Sequence, residues 1–146
     1  MTKAALRKHV LHAVATASSL SALVALLDPD RVAAVMGLFL VGVNGYSQFY
    51  AIYVGVRLAT AVLALSAVKQ GDQPLLTDLT AMFLLAQPAG RLAVASVIGL
   101  PQGPLLVVSV VEIACGLLLL ALRPAPINAP RDANDIRPPQ SKTHHR

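Results

Sequence analysis

The stretch at residues 46–68, YSQFYAIYVGVRLATAVLALSAV, is apolar for longer than a buried helix of a small domain needs, yet it carries Arg57 near its centre. About 20 helical residues cross the hydrocarbon core of a bilayer. The whole chain shares this character: 146 residues, 55% of them apolar and only 13% charged. Ordinary soluble domains carry roughly 25% charge. A chain this short has too much surface for its volume to hide so apolar a composition from water. The bilayer is therefore the solvent that the sequence implies.

Three more stretches have spanning length: His9–Leu27, Leu75–Ile98 and Pro104–Leu122. Helix punctuation separates them. Asp28-Pro29-Asp30 follows the first, Gly71-Asp72-Gln73-Pro74 precedes the third, and residues 99–104 (GLPQGP) form a turn before the fourth. Backbone polar groups in lipid must pair within their own segment, which leaves helices as the reading for all four. Arg31–Val43 is apolar but too short to cross. It is expected to form a short interfacial or re-entrant helix, capped by Asp28 or Asp30 and ended by Gly42, Asn44 and Gly45. The expected fold is an all-α integral membrane protein, a four-transmembrane-helix bundle with a short interfacial helix between helices 1 and 2. Residues 1–8 form a basic cytoplasmic N-terminus, 9–122 the membrane domain, and 123–146 a disordered Pro-rich cytoplasmic tail. Lys3, Arg7 and Lys8 ahead of the first span also fit a secretory signal, with Ala22 and Ala25 near a cleavage site. The apolar run is longer than the about 7–15 residues of such a signal.

Nine of the twelve Lys and Arg residues belong to the N-terminus, the loop after the second span and the tail. The opposite side has Arg31, beside Asp28 and Asp30. The positive-inside rule then puts both termini in the cytoplasm. The formal charge of +5 does not indicate nucleic acid, because the basic residues form no stripe interleaved with aromatics. The one cysteine, Cys115, lies in an apolar run and reads as a small buried hydrophobe. No Cys/His cluster has metal-site spacing, and no Ser/His/acid set stands at matched depth.

Three charged residues interrupt the spans well away from their ends: Arg57, Arg91 and Glu112. Each intramembrane charge costs at least ~2.5–3.5 kcal/mol on insertion scales, so such groups face the interior and pair. Arg57 and Glu112 fall near the middle of their helices and Arg91 in the outer half of its own. Tyr50, Tyr53, Arg57 and Thr60 share one helical face, Gln87 lies one turn before Arg91, and Ser109, Glu112 and Gly116 align. Pro88 removes a backbone donor and is expected to free carbonyls near Leu84. The candidate site is therefore Arg57, Arg91, Glu112, Tyr53, Tyr50 and Gln87. It reads either as a structural polar contact between helices or as a pocket. In the second case two arginines facing one glutamate leave positive charge for an anionic ligand, a lipid headgroup or a quinone-like carbonyl. Ala13, Ala17, Ser21 and Ala25 form a small-residue face suited to close helix packing.

Asp28-Pro29, Ala51-Ile52-Tyr53-Val54-Gly55, Gly90-Arg91 and Glu112 occur in an order that resembles the DUF4345 family of small four-helix bacterial membrane proteins, relatives of DoxX-like proteins. The resemblance covers roughly residues 10–122; where family members often carry Tyr-Gly-Gly, this chain has Tyr53-Val54-Gly55. It implies a four-helix domain in the bacterial cytoplasmic (inner) membrane and no particular activity.

These readings point to a non-enzymatic accessory or binding subunit with the lipid bilayer as its surroundings and a homo-oligomer or membrane-protein partner. An oxidoreductase accessory that engages a quinone or lipid is the alternative. A small transporter follows third, since four short helices without a repeat would have to oligomerise. The charge distribution predicts that a reporter fused after Arg146 is active on the cytoplasmic side; activity on the opposite side would overturn the orientation.

Overall fold

The computed structural model describes residues 2–71 and 73–123, and among these it is all-helical. The elements are α1 (Lys3–Leu27), α2 (Pro29–Val35), α3 (Gly42–Lys69), α4 (Pro74–Ala93), α5 (Ala95–Ile98) and α6 (Pro104–Ala121). The tail expected at residues 123–146 lies outside the described residues beyond Arg123.

Three helices, α1, α3 and α6, are long and apolar enough to cross a membrane, as in a multi-pass membrane protein. The four-span expectation is thus met in three. Helix α4 has 20 residues but is interrupted by Thr77, Asp78, Thr80, Gln87 and Arg91. Thr77 and Thr80 are buried and Asp78, Gln87 and Arg91 half-buried, so the polar residues that dilute α4 turn inward. Outward faces are apolar instead: Leu20, Leu23, Val62, Met82, Val110 and Leu117 are all exposed.

The expected boundaries shift in several places. Helix α1 starts at Lys3 with Thr2 as its cap, whose hydroxyl accepts from the Ala5 amide at 3.2 Å, so much of the basic 1–8 segment is helical. The short helix runs over Pro29–Val35, not Arg31–Val43. Asp28 caps it by accepting from the Arg31 amide at 3.2 Å. It stops at Gly37, which adopts φ 72°, while the Leu38 amide donates to Ala33 O at 2.8 Å. That left-handed glycine is the usual helix terminator, and it comes earlier than the Gly42–Gly45 cluster expected to end the segment. Gly42, at φ 63°, opens α3. Tyr46 Oη then donates to Asp30 at 2.6 Å and fastens the start of α3 to α2. The third stretch divides at Val94 into α4 and the short α5, and α4 continues through the buried Pro88.

Within α3, Ala51–Val56 is a π-helical segment that ends at Arg57. The buried positions Phe49, Tyr53 and Arg57 are four apart across this wider turn. Beyond it, where the helix is regular, Thr60, Ala61, Ala64 and Ala67 are buried at spacings of three and four. A π turn carries an extra residue relative to an α turn, so the segment keeps Tyr53 and Arg57 on the same inward face.

Helix α1 packs on α3, α3 on α4, and α4 on α6, whereas α1 and α6 meet only slightly. The row of helices therefore leaves a seam. Arg7 donates to Gly71 O, and Arg123 pairs with Asp78 at 2.9 Å. These contacts bring the start of α1, the α3–α4 turn and the end of α6 to one end of the bundle. Asp78, one turn into α4, is thus the partner of Arg123. One apolar cluster near that end contains Leu11, Val14, Ala15, Ala64, Ala67, Ala81, Leu84 and Leu119. A second, toward the other end, contains Ala25, Ala33, Phe49 and Tyr53.

Gly116 lets α4 and α6 approach closely: an added Cβ would stand 2.6 Å from Leu85 Cγ and 3.3 Å from Ala81 O. Gly90 has open space around it. Gly116→Val is expected to lose about 1–3 kcal/mol through overpacking, while Gly90→Ala loses none. Unfolding in detergent measures both, and equal behaviour of the two variants would contradict the close approach.

Candidate functional site

Between the two apolar clusters lies a polar layer. Helix α3 supplies Arg57 and Thr60, α4 supplies Arg91 and Gln87, α6 supplies Ser109 and Glu112, and α1 supplies Ser18. Their hydroxyls are partly satisfied within their own helices. Thr60 donates to Val56 O and Ser109 to Leu105 O, each at 2.8 Å, the back-bonding that lets a hydroxyl sit in an apolar helix.

Glu112 is the hub. Its Oε1 stands 2.5 Å from Arg57 Nη2, and its Oε2 accepts from Arg91 Nη1 at 2.9 Å. Arg91 Nη1 also donates to Ser109 Oγ at 2.9 Å, and Nη2 to Gln87 Oε1 at 3.4 Å. The sequence leads to pairing with either arginine; the structure has both. Arg57 is 8% exposed and Glu112 4%, so water screens this network little. Two guanidinium groups against one carboxylate leave one positive charge in the layer.

The pairing is incomplete. Arg57 Nε is buried with no hydrogen-bond partner among the described residues, and Glu112 Oε1, although ion-paired, accepts no well-directed hydrogen bond. An unmet buried donor costs roughly 1–3 kcal/mol, more when charged. Functional sites are a common place for such unmet groups.

Two cavities flank the layer. One, of about 350 Å³, follows the seam between α1 and α6; Ala13, Ala17, Ser21, Val107 and Val111 form its walls, with Tyr53, Arg57 and Glu112 among its lining residues. The other, of about 620 Å³, lies between α3 and α4 and is lined by Phe39, Gln48, Phe49, Tyr53, Gln87 and Arg91. Tyr53 lines both. Its ring stacks on Phe49 with centroids 4.6 Å apart.

Of the six candidate residues, Arg57, Arg91, Glu112 and Gln87 are joined by contacts, and Tyr53 lies beside them. Tyr50 does not join: it meets Phe49 edge-on at 6.0 Å and packs with the second apolar cluster. The i, i+3 stripe that includes Tyr50 presupposes a regular helix, and the π segment displaces it. Ser109 is an Arg91 ligand that its three-residue spacing from Glu112 already indicates. The seam itself has no sequence signal, because the Ala13-Ala17-Ser21 face suggests closure. Ala13 and Ala17 are instead exposed along the groove, and only Ala25 is buried. Cys115 is half-buried on the groove wall.

Comparison of the chain with protein-family models, curated proteins and solved structures finds no match.

Glu112→Gln leaves the buried Arg57 and the half-buried Arg91 facing a neutral amide. A loss of about 3–5 kcal/mol is expected, as for other broken buried ion pairs. In an Arg57→Met background the same change is expected to cost less. A double-mutant cycle read by unfolding in detergent tests the coupling; additive effects would show that Arg57 and Glu112 do not interact.

Proposed function

We propose that the protein is a multi-pass protein of the bacterial cytoplasmic membrane, a non-enzymatic accessory or binding subunit whose Arg57–Glu112–Arg91 layer holds a small ligand. In this reading α4 is a fourth span. At 1.5 Å rise per residue its length suffices for a core of about 30 Å, and its polar residues are the inward-facing ones. The basic residues Arg7 and Arg123 cluster at one end of the bundle, which supports an arrangement with both termini cytoplasmic. The resemblance to DUF4345 proteins agrees with this architecture and rests on Asp28-Pro29, residues 51–55, Gly90-Arg91 and Glu112.

The observation that carries the binding role is the unpartnered Arg57 Nε beside an apolar cavity of ligand size. Ligand sites commonly have volumes of about 300–1,000 Å³, apolar walls and a few convergent polar groups. The same free donor favours a second reading, an oxidoreductase accessory in the manner of DoxX-like proteins, because a quinone carbonyl also accepts it. The bilayer and a homo-oligomeric or heterologous membrane partner complete the surroundings.

Native mass spectrometry of the detergent-extracted protein is expected to detect a co-purified small molecule that Arg57→Ala and Arg91→Ala lose while remaining folded. Variants that fold and keep the molecule, or that unfold without any ligand ever seen on the wild type, would assign the layer a purely structural role.

A further inference from the structure

Of the two cavities, the one along the α1–α6 seam is the more restrictive about its occupant. It opens outward between two helices that barely touch. The small side chains of Ala13, Ala17 and Ser21 keep one wall low, and Val107 and Val111 form the other. All five lie in helices read as spanning, so the mouth faces the acyl chains and not water. Its polar lining has a definite character. Arg57, more than nine-tenths buried, lines the groove and keeps an unpartnered Nε–H. The layer behind it holds two guanidinium groups and one carboxylate.

We infer that this groove admits, sideways from the bilayer, a single-chain amphiphile whose head is one carboxylate, a long-chain fatty acid being the simplest. The inference rests on the binding role proposed above and names the ligand class of the same site. Charge sets the head: the layer carries one net positive charge, which one carboxylate neutralises in a low-dielectric interior. A phosphate monoester, at about −1.5 to −2, would overshoot and repel Glu112. Hydrogen bonding agrees, because one carboxylate oxygen accepts from Arg57 Nε–H without displacing Glu112 from Nη2. Charge-assisted bonds of this kind are the strong ones. Volume sets the tail: a groove of about 350 Å³ with apolar walls suits one chain, while the bulk of a two-chain lipid would stay outside.

The test uses the full chain in detergent micelles, with hexadecanoate as the probe and native mass spectrometry as the readout. One hexadecanoate per chain is expected. Ala17→Leu fills the groove without touching the charged layer and should weaken binding by about tenfold; hexadecanol and a lysophosphatidate should each bind about tenfold more weakly than the acid. Arg57→Gln should lose the acid, and Ala17→Leu keeps the test decisive if that variant fails to fold. Equal binding of acid and alcohol overturns the carboxylate head, as does equal binding of the lysophosphatidate. Undiminished binding by Ala17→Leu overturns the location. A dimer that Ala17→Leu dissociates, with no fatty acid bound, gives the groove to a second copy of the chain. If hexadecanoate fails but another co-purified molecule follows Arg57 and Arg91, the binding role stands and the fatty-acid assignment falls.

Discussion

The carboxylate of Glu112 offers one oxygen to Arg57 of α3 and the other to Arg91 of α4, and this double pairing fixes how three helices face one another. Lipid surroundings make the constraint severe. Hydrophobic burial contributes little to association between helices already in hydrocarbon, so packing and polar contacts select which faces meet. A guanidinium group of a spanning helix such as α3, turned toward lipid, would be costly. The inward orientation of Arg57 and Glu112 follows from their charge, and Arg91 of α4 joins them through Glu112. Small residues then set how close the helices come. Ala64, Ala67 and Ala81 are buried at the α1–α3–α4 contacts, and Gly116 brings α6 against α4.

The same pairing explains why the bundle is not sealed. Glu112 draws α6 toward α3 and α4, while no charged residue of α1 lies in the polar layer. Helix α1 is held by its apolar and alanine contacts with α3 and, at its first turns, by Arg7 reaching Gly71. A seam between α1 and α6 remains, and Arg57 is among the residues that line it. The ion pairs that order the helices leave one positive charge and one unpartnered donor in the layer.

Much of the fold is legible in the sequence because bilayer thickness sets element length directly. The residue runs that define α1, α3 and α6 are visible as composition alone. Leu75–Ile98 has spanning length in the sequence as well, but α4 is less apolar than those three helices because Thr77, Thr80 and Arg91 interrupt it and turn inward. The short helix is misread at its end: Gly37 terminates α2 through its left-handed conformation, whereas the denser Gly42-Val43-Asn44-Gly45 cluster starts the next helix. In the site, Arg57, Arg91 and Glu112 stand out since charge is so scarce around them. Tyr50 is misplaced for a geometric reason: the π segment at residues 51–56 breaks the 3.6-residue spacing on which the face is drawn. No composition signal marks that segment. The seam is equally hidden, since an Ala-Ala-Ser face looks the same whether a helix or a ligand lies against it.

Glu112 is the single glutamate of the chain, which makes the central pairing directly observable. Solid-state NMR of protein in bilayers, with glutamate 13C-labelled at the carboxyl carbon and arginine 15N-labelled at the guanidinium, gives one carboxyl signal. Dipolar recoupling should place that carbon within ion-pair distance of guanidinium nitrogens from two arginines. Arg57→Met should abolish the coupling to the first of them and Arg91→Met the coupling to the second. A carboxyl signal with no arginine nitrogen nearby, or one unaffected by either substitution, would contradict the account.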